Sequence, residues 1–107
     1  MRKPQRATLF LADGRVILLK PGQGKEFTLK ELQSAVNGLI ERVKAVDRYS
    51  TLWVNEEGLL MKLPINPHWQ TVAKIDHPLV GDMINVYRVA KGEERDDNRI
   101  TISEVER

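Results

Sequence analysis

The sequence has no cysteine among its 107 residues. This absence excludes disulfide scaffolds, thiol nucleophiles, iron–sulfur clusters and cysteine-ligated zinc. A chain without cysteine is compatible with a reducing compartment, and we therefore expect a cytoplasmic protein.

Long apolar runs are also missing. No window approaches the roughly 18 consecutive apolar residues that a membrane-spanning helix needs. Three of the first six residues are basic, but the apolar run after them, residues 7–12, is too short for a signal peptide and leads directly into Asp13-Gly14. We expect no membrane association and interpret this run as a β-strand.

The chain has little excess of either charge. Seventeen Lys and Arg against fifteen Asp and Glu leave +2, and 30% charged with 41% hydrophobic residues describes one globular domain. The charge is nevertheless uneven: residues 1–50 carry ten basic and five acidic side chains, a net +5, and residues 51–107 carry seven and ten, a net −3. The positive half either forms a basic face for an anionic partner or is spread over a mixed surface.

The first elements read as a hairpin followed by a helix. Residues 7–12 and 15–19 flank Asp13-Gly14, which is typical of a two-residue type I′ turn. Both runs are almost continuously apolar, which predicts central strands covered on both faces. Thr28 and Glu31 fit a capping box that begins a helix. Its periodicity could continue to Val46, but Asn37-Gly38 favours a helix over 29–37 and a strand over 39–46.

The second half contains further strands and one short helix. We predict strands over residues 51–54, 59–63 and 83–89, with a type I turn over 55–58. Asn66 can cap a helix that starts at Pro67 and lasts about two turns.

Together these elements predict an α+β fold: a mostly antiparallel five- to six-stranded sheet with two short helices. The domain covers residues 1–90, and residues 91–107 form a polar C-terminal tail. Within that tail, residues 99–103 fit an added edge strand as well as a frayed end. Edge strands in so small a sheet favour a homo-oligomer.

Four segments occur in an order that resembles a known family. They are residues 32–41, which hold a helix end closed by Gly38 and the Ile-Glu step of the following strand, Val-Asn-Glu-Glu-Gly at 54–58, Leu-Pro-Ile-Asn at 63–66 and Val-Gly-Asp at 80–82. The chain thus resembles, over about residues 16–88, the domain-of-unknown-function 3846 family of phage, plasmid and bacterial proteins. The resemblance implies a phage or mobile-element accessory protein with a counter-defence role, placed in the host cytoplasm. Asn37, where a second glycine is frequent, and the Asp13-Gly14 hairpin depart from the family pattern.

No catalytic constellation is visible. Glu56 and Glu57 are adjacent carboxylates on a predicted turn, where both face water. His68 and His77 are the only histidines, too few ligands for a metal site. No serine lies in a strained nucleophile elbow. We therefore expect no catalytic residues, no metal, no cofactor and no enzymatic activity.

Aromatic and basic residues together point to binding. Trp69 lies beside Asn66 and His68 at a predicted helix start, and such a start attracts anions. Trp53, on a strand, is expected to fill the core. The candidate ligand-binding residues are Asn66, His68, Trp69, Lys62, Arg48 and Arg88. We expect a non-enzymatic protein that captures a small anionic nucleotide-like ligand or a host protein; the alternative is a nucleic-acid-binding accessory domain.

Overall fold

A computed structural model of the chain describes residues 2–90 and 98–107. Within them lie five strands, two helices and a 3₁₀ turn. The elements are β1 (Gln5–Phe10), β2 (Val16–Leu19), α1 (Leu29–Val36), β3 (Ile40–Val43), β4 (Thr51–Asn55), α2 (Trp69–Val72), β5 (Met83–Arg88) and the 3₁₀ turn Ile102–Glu104.

The five strands form a single antiparallel sheet in the order β2-β1-β5-β4-β3. The last strand in the sequence, β5, therefore lies in the centre, paired with β1 on one side and β4 on the other. The predicted α+β class, with a mostly antiparallel sheet and two short helices, is confirmed.

The hairpin between β1 and β2 is present, but its turn differs from the prediction. Leu11 N–H donates to Arg15 C=O and Gly14 N–H donates to Leu11 C=O, so three residues form the loop. Only Gly14, at φ 101°, has a positive φ there, whereas a type I′ turn requires a second at Asp13. The prediction of a two-residue turn was wrong because a type I turn followed by one left-handed glycine is equally compatible with Asp-Gly.

Local signals place both ends of α1. The Thr28 hydroxyl accepts from the N–H of Glu31, and the Glu31 carboxylate accepts from the N–H of Thr28. At the other end Asn37 adopts the left-handed conformation at φ 61° and ψ 39°. The helix ends there and β3 follows, so the shorter-helix alternative is confirmed.

Two strand predictions are corrected. The β2 strand lies at the sheet edge, and Val16 and Leu18 are about half exposed, so the apolar run there does not indicate two covered faces. Residues 59–63 form turns instead of a strand. Met61 N–H donates to Glu57 C=O and Leu63 N–H donates to Gly58 C=O, and these bonds curl the chain back locally.

The sheet is covered on both faces by separate apolar clusters. On one face, here called the helix face, α1 packs through Ala35 and Val36 onto residues such as Leu9 and Ile84. On the opposite face, the segment that contains α2 packs on Leu52 and Met83. Because neighbouring residues on a strand point to opposite faces, this division assigns each strand side chain to one face.

Part of the predicted C-terminal tail returns to the sheet. Ile100 forms a parallel bridge with Leu19, and its C=O accepts from Lys20 N–H. Ile102 and Val105 pack against the helix-face cluster. The rest of that predicted tail, residues 91–97, lies outside the described residues.

Candidate functional site

A groove of about 510 Å³ opens on the helix face, beside α1 and the adjoining ends of β4, β5 and β1. We call it the aromatic groove. Its lining residues come from four stretches of chain and are Lys3, Gln5, Phe27, Leu32, Tyr49, Thr51, Trp53, Val86, Tyr87 and Arg88.

Aromatic side chains form much of the wall. Trp53 is partly buried and packs against the helix-face cluster, and it also lines the groove, so it combines the expected core role with an accessible surface. Phe27 lies across from it at the start of α1, where its N–H donates to the Gln5 side chain over 2.8 Å. Tyr49 stands at the open end with 76% of its surface exposed. Flat apolar faces of this kind stack on planar rings.

Cations surround these rings. Lys3 and Arg88 line the groove, and Arg42 on β3 lies directly across from Trp53, which places both side chains on the same face. Arg48 has its guanidinium carbon 4.8 Å from the centroid of the Tyr49 ring, a cation–π contact. Of the basic residues among 1–50, Lys3 therefore lines the groove, and Arg42 and Arg48 lie beside its aromatic residues Trp53 and Tyr49.

One carboxylate balances part of this charge. The Glu26 Oε2 atom accepts from Arg2 over 2.6 Å and also from Arg88, so two guanidinium groups converge on one oxygen. The hydrogen bonds from Arg88 and then Arg2 hold the pKa of the Glu26 carboxyl below its ordinary value. Arg88 also donates to the Lys3 C=O over 2.7 Å, which fixes its guanidinium at the groove wall.

The structure separates the predicted ligand-binding residues onto opposite faces. Asn66 is fully buried, and its side chain bonds to Phe10 C=O, Gly81 C=O and His68 N–H. The His68 Nε2 atom lies 2.8 Å from Gly14 C=O, and Trp69 packs on the cluster opposite α1. The helix α2 begins at Trp69, two residues later than predicted, but Asn66 still bonds the turn that leads into it: its side-chain oxygen accepts from His68 N–H and its C=O accepts from Trp69 N–H. These three residues hold the chain together and do not converge on a cleft.

The other three predicted residues have different surroundings. Arg88 lines the aromatic groove and Arg48 stacks at its open end. Lys62 is exposed on a distant turn, where it adopts a left-handed conformation at φ 56°. Lys3, Phe27 and Tyr49 are not among the predicted ligand-binding residues, because they lie far apart in the sequence and only the sheet order brings them to one groove.

Neither a metal-ligand cluster nor a membrane-spanning helix is present in the described part of the chain. Within residues 2–90 and 98–107, no three His, Asp or Glu side chains cluster closely enough to hold a metal ion. Over the same residues, no helix has the length and apolar character needed to cross a membrane.

Comparison with known proteins identifies the family. The family profile described as a domain of unknown function, DUF3846, matches residues 14–104. Neither curated proteins nor solved structures gave a significant match. The matched segment runs from the first hairpin to the 3₁₀ turn and contains all four motifs singled out in the sequence. Because this match covers well over half of the chain, the protein belongs to the DUF3846 family.

Proposed function

We propose that this protein is a non-enzymatic binding protein whose aromatic groove captures a small anionic ligand that carries a planar ring, such as a nucleotide. One observation carries the proposal: aromatic side chains and cations line the same concave surface. Trp53 and Tyr49 offer faces for a base, and Lys3 and Arg88 offer positive charge for a phosphate. A groove of about 510 Å³ has the size of a small-molecule site.

The cellular setting is part of the same proposal. The resemblance to phage and plasmid proteins supports an accessory role on a mobile element, acting in the host cytoplasm. Capture of a nucleotide signal there would serve counter-defence, and capture of a host protein is the other form of this role. Self-association through the β3 edge is a further part of the proposal, because β3 is an edge strand of the sheet, whereas the outer edge of β2 is already bonded to Ile100.

The test uses the two tryptophans. Trp69→Phe removes the tryptophan on the opposite face and leaves Trp53 as the only indole of the chain. We expect nucleoside mono-, di- or triphosphates, or cyclic dinucleotides, to quench Trp53 fluorescence saturably and to give heat in titration calorimetry. The matching unphosphorylated nucleoside should bind at least about tenfold more weakly, since it lacks the charge that the cations recognise.

Charge variants localise the binding. Lys3→Ala with Arg42→Ala removes one cation that lines the groove and one that lies on the same face as Trp53, and both residues are exposed, so the fold should be retained. Lys74→Ala is the control, because Lys74 is exposed after α2 and does not line the aromatic groove. Absence of heat and of quenching with every nucleotide at millimolar concentration would overturn the proposal, as would equal binding by the groove variant and the wild type.

A second candidate is binding of single-stranded nucleic acid. It is favoured by Arg48 and Tyr49, an exposed stacked pair that extends the groove outward and could contact a following nucleotide. Salt separates the two candidates. If the protein binds successive phosphates of a single strand, the logarithm of the affinity should fall as the logarithm of the salt concentration rises, with a slope of roughly 0.7 per phosphate contacted. No gel retardation of an oligonucleotide at low salt would eliminate this candidate.

A further inference from the structure

A turn next to β4 displays apolar side chains to solvent. We call residues 58–63 the leucine turn. Leu59 and Leu60 are 78% and 81% exposed, the highest values among the large apolar residues described, and Met61 is half exposed beside them. Apolar side chains that cluster at the surface mark interaction sites more often than isolated ones do.

Hydrogen bonds of Asn55 and the close packing of Gly58 fix the start of this turn. The Asn55 side chain donates to the C=O of Val36 over 3.0 Å and to that of Asn37 over 3.3 Å, and it accepts from Glu57 N–H over 2.8 Å. Gly58 is buried, and a Cβ there would lie 2.8 Å from a methyl of Val80. Both leucines are therefore presented by a backbone fixed before any partner arrives, which lowers the entropy lost on binding.

A second groove, of about 350 Å³, lies beside the turn. Leu59 and Leu60 line one part of it, the segment 77–80 lines another, and Val54 of β4 contributes from the sheet. Its volume suits one or two large side chains. An apolar anchor in such a pocket is the usual centre of a protein interface.

The charged groups around this groove are mainly acidic. Glu41 and Glu56 line it and Glu57 adjoins it, and none of these carboxylates has a side-chain hydrogen bond or ion pair within the described chain. Two basic groups are near: Lys62 on the turn, and His77, whose Nδ1 lies 3.4 Å from Asp76 Oδ1. The excess of unpaired carboxylates attracts a cationic partner and repels an anionic membrane surface.

We propose that the leucine turn and its groove dock a cationic amphipathic segment of a partner protein, with an apolar side chain in the groove and Lys or Arg beside Glu41 and Glu56. Val54 and Glu41 point away from the helix face, so this site is separate from the aromatic groove and does not depend on it. A second copy of this chain fits less well, because a twofold contact would bring the same carboxylates together.

The probe is a pair of synthetic 14-residue amphipathic helices, one of leucine and lysine and one with every lysine replaced by glutamate. Fluorescence anisotropy of the labelled peptides should show saturable binding of the lysine peptide alone. Leu60→Asp should weaken that binding at least about tenfold, since interface anchors carry most of the affinity. Glu41→Lys with Glu56→Lys should weaken it as well. Leu29→Asp is the matched control: Leu29 is 59% exposed at the start of α1, away from the groove.

Several results would overturn the proposal. One is equal affinity of wild type and Leu60→Asp for the lysine peptide when circular dichroism shows both folded. Others are equal binding of the two peptides, or equal loss in Leu29→Asp. Concentration-dependent dimerisation that Leu60→Asp abolishes would identify a second copy as the occupant. Sedimentation with zwitterionic vesicles that requires Leu60 would identify a membrane instead.

Discussion

The side-chain amide of Asn66 donates a 2.8 Å hydrogen bond to the carbonyl oxygen of Phe10, 56 residues earlier in the chain. The same nitrogen donates to Gly81 C=O over 2.9 Å, and the amide oxygen accepts from His68 N–H. With no exposed surface, Asn66 joins the end of β1, the turn before β5 and the approach to α2. A residue of the Leu-Pro-Ile-Asn motif thus acts as an internal cross-link.

Asn66→Asp tests this cross-link with almost no change of shape. The new oxygen faces two carbonyl oxygens in place of a donor, so we expect the free energy of unfolding to fall by about 2–4 kcal/mol. Urea denaturation followed by circular dichroism measures the change. Asn98→Asp, at an exposed position, is the control and should be nearly neutral. A loss in Asn66→Asp no larger than in the control would show that the cross-link contributes little.

Gly58→Ala should destabilise the fold through one contact. A Cβ at Gly58 would lie 2.8 Å from Cγ2 of Val80, and the stiff valine side chain has little room to move. We expect a loss of about 1–3 kcal/mol on urea denaturation. Val80→Ala introduced into the Gly58→Ala variant should restore part of the lost stability. The effects of the two changes should therefore be non-additive in a double-mutant cycle. Strict additivity would exclude Val80 as the cause.

The ion pairs of Glu26 make stability depend on acid pH. Because Arg88 and Arg2 lower the pKa of this carboxyl in the folded chain, its contribution is complete above the ordinary value of 4.5 and disappears as pH falls through the lower folded pKa. The difference in unfolding free energy between wild type and Glu26→Gln should therefore shrink below pH 4.5. Urea melts from pH 7 to pH 3 measure it, with the exposed Glu57→Gln as control. A difference that does not change with pH would contradict the assignment.

Arg107 and Asp82 should be energetically coupled. Their guanidinium and carboxylate lie 3.0 Å apart and both are mostly shielded from solvent, while Arg107 also donates to the last carbonyls of α1, at Ser34 and Ala35. A cycle of Arg107→Ala and Asp82→Asn should give a coupling of about 0.5–1 kcal/mol that falls with added salt. Asn at position 82 retains an oxygen for Ala12 N–H.

The half-exposed pair of Arg15 and Asp13 is the comparison for that cycle. Arg15→Ala should lower the free energy of unfolding by about 0.5 kcal/mol or less, because exposed ion pairs contribute little to stability. If Arg107→Ala lowers the free energy of unfolding equally with Asp and with Asn at position 82, the predicted coupling is absent.

Local sequence alone determined where several elements begin and end. Thr28 and Glu31 mark the start of α1, Asn37-Gly38 marks its end, and Asp13-Gly14 marks the first hairpin. Each of these signals acts between residues at most five positions apart, so the partners are already neighbours in the chain. The class of the fold and the family resemblance follow from such signals in order.

Only the tertiary structure decided which distant residues meet. Placing β5 between β1 and β4 brings Lys3, Trp53 and Arg88 to one groove, and no local propensity encodes that order. The same packing buried Asn66, which was expected at a ligand site, and curled residues 59–63 into a turn that the apolar pattern had predicted as a strand. The residue type determines which interactions a side chain can make. Which face of the sheet the side chain lies on, and which residues it contacts, depend on strand pairing between residues tens of positions apart.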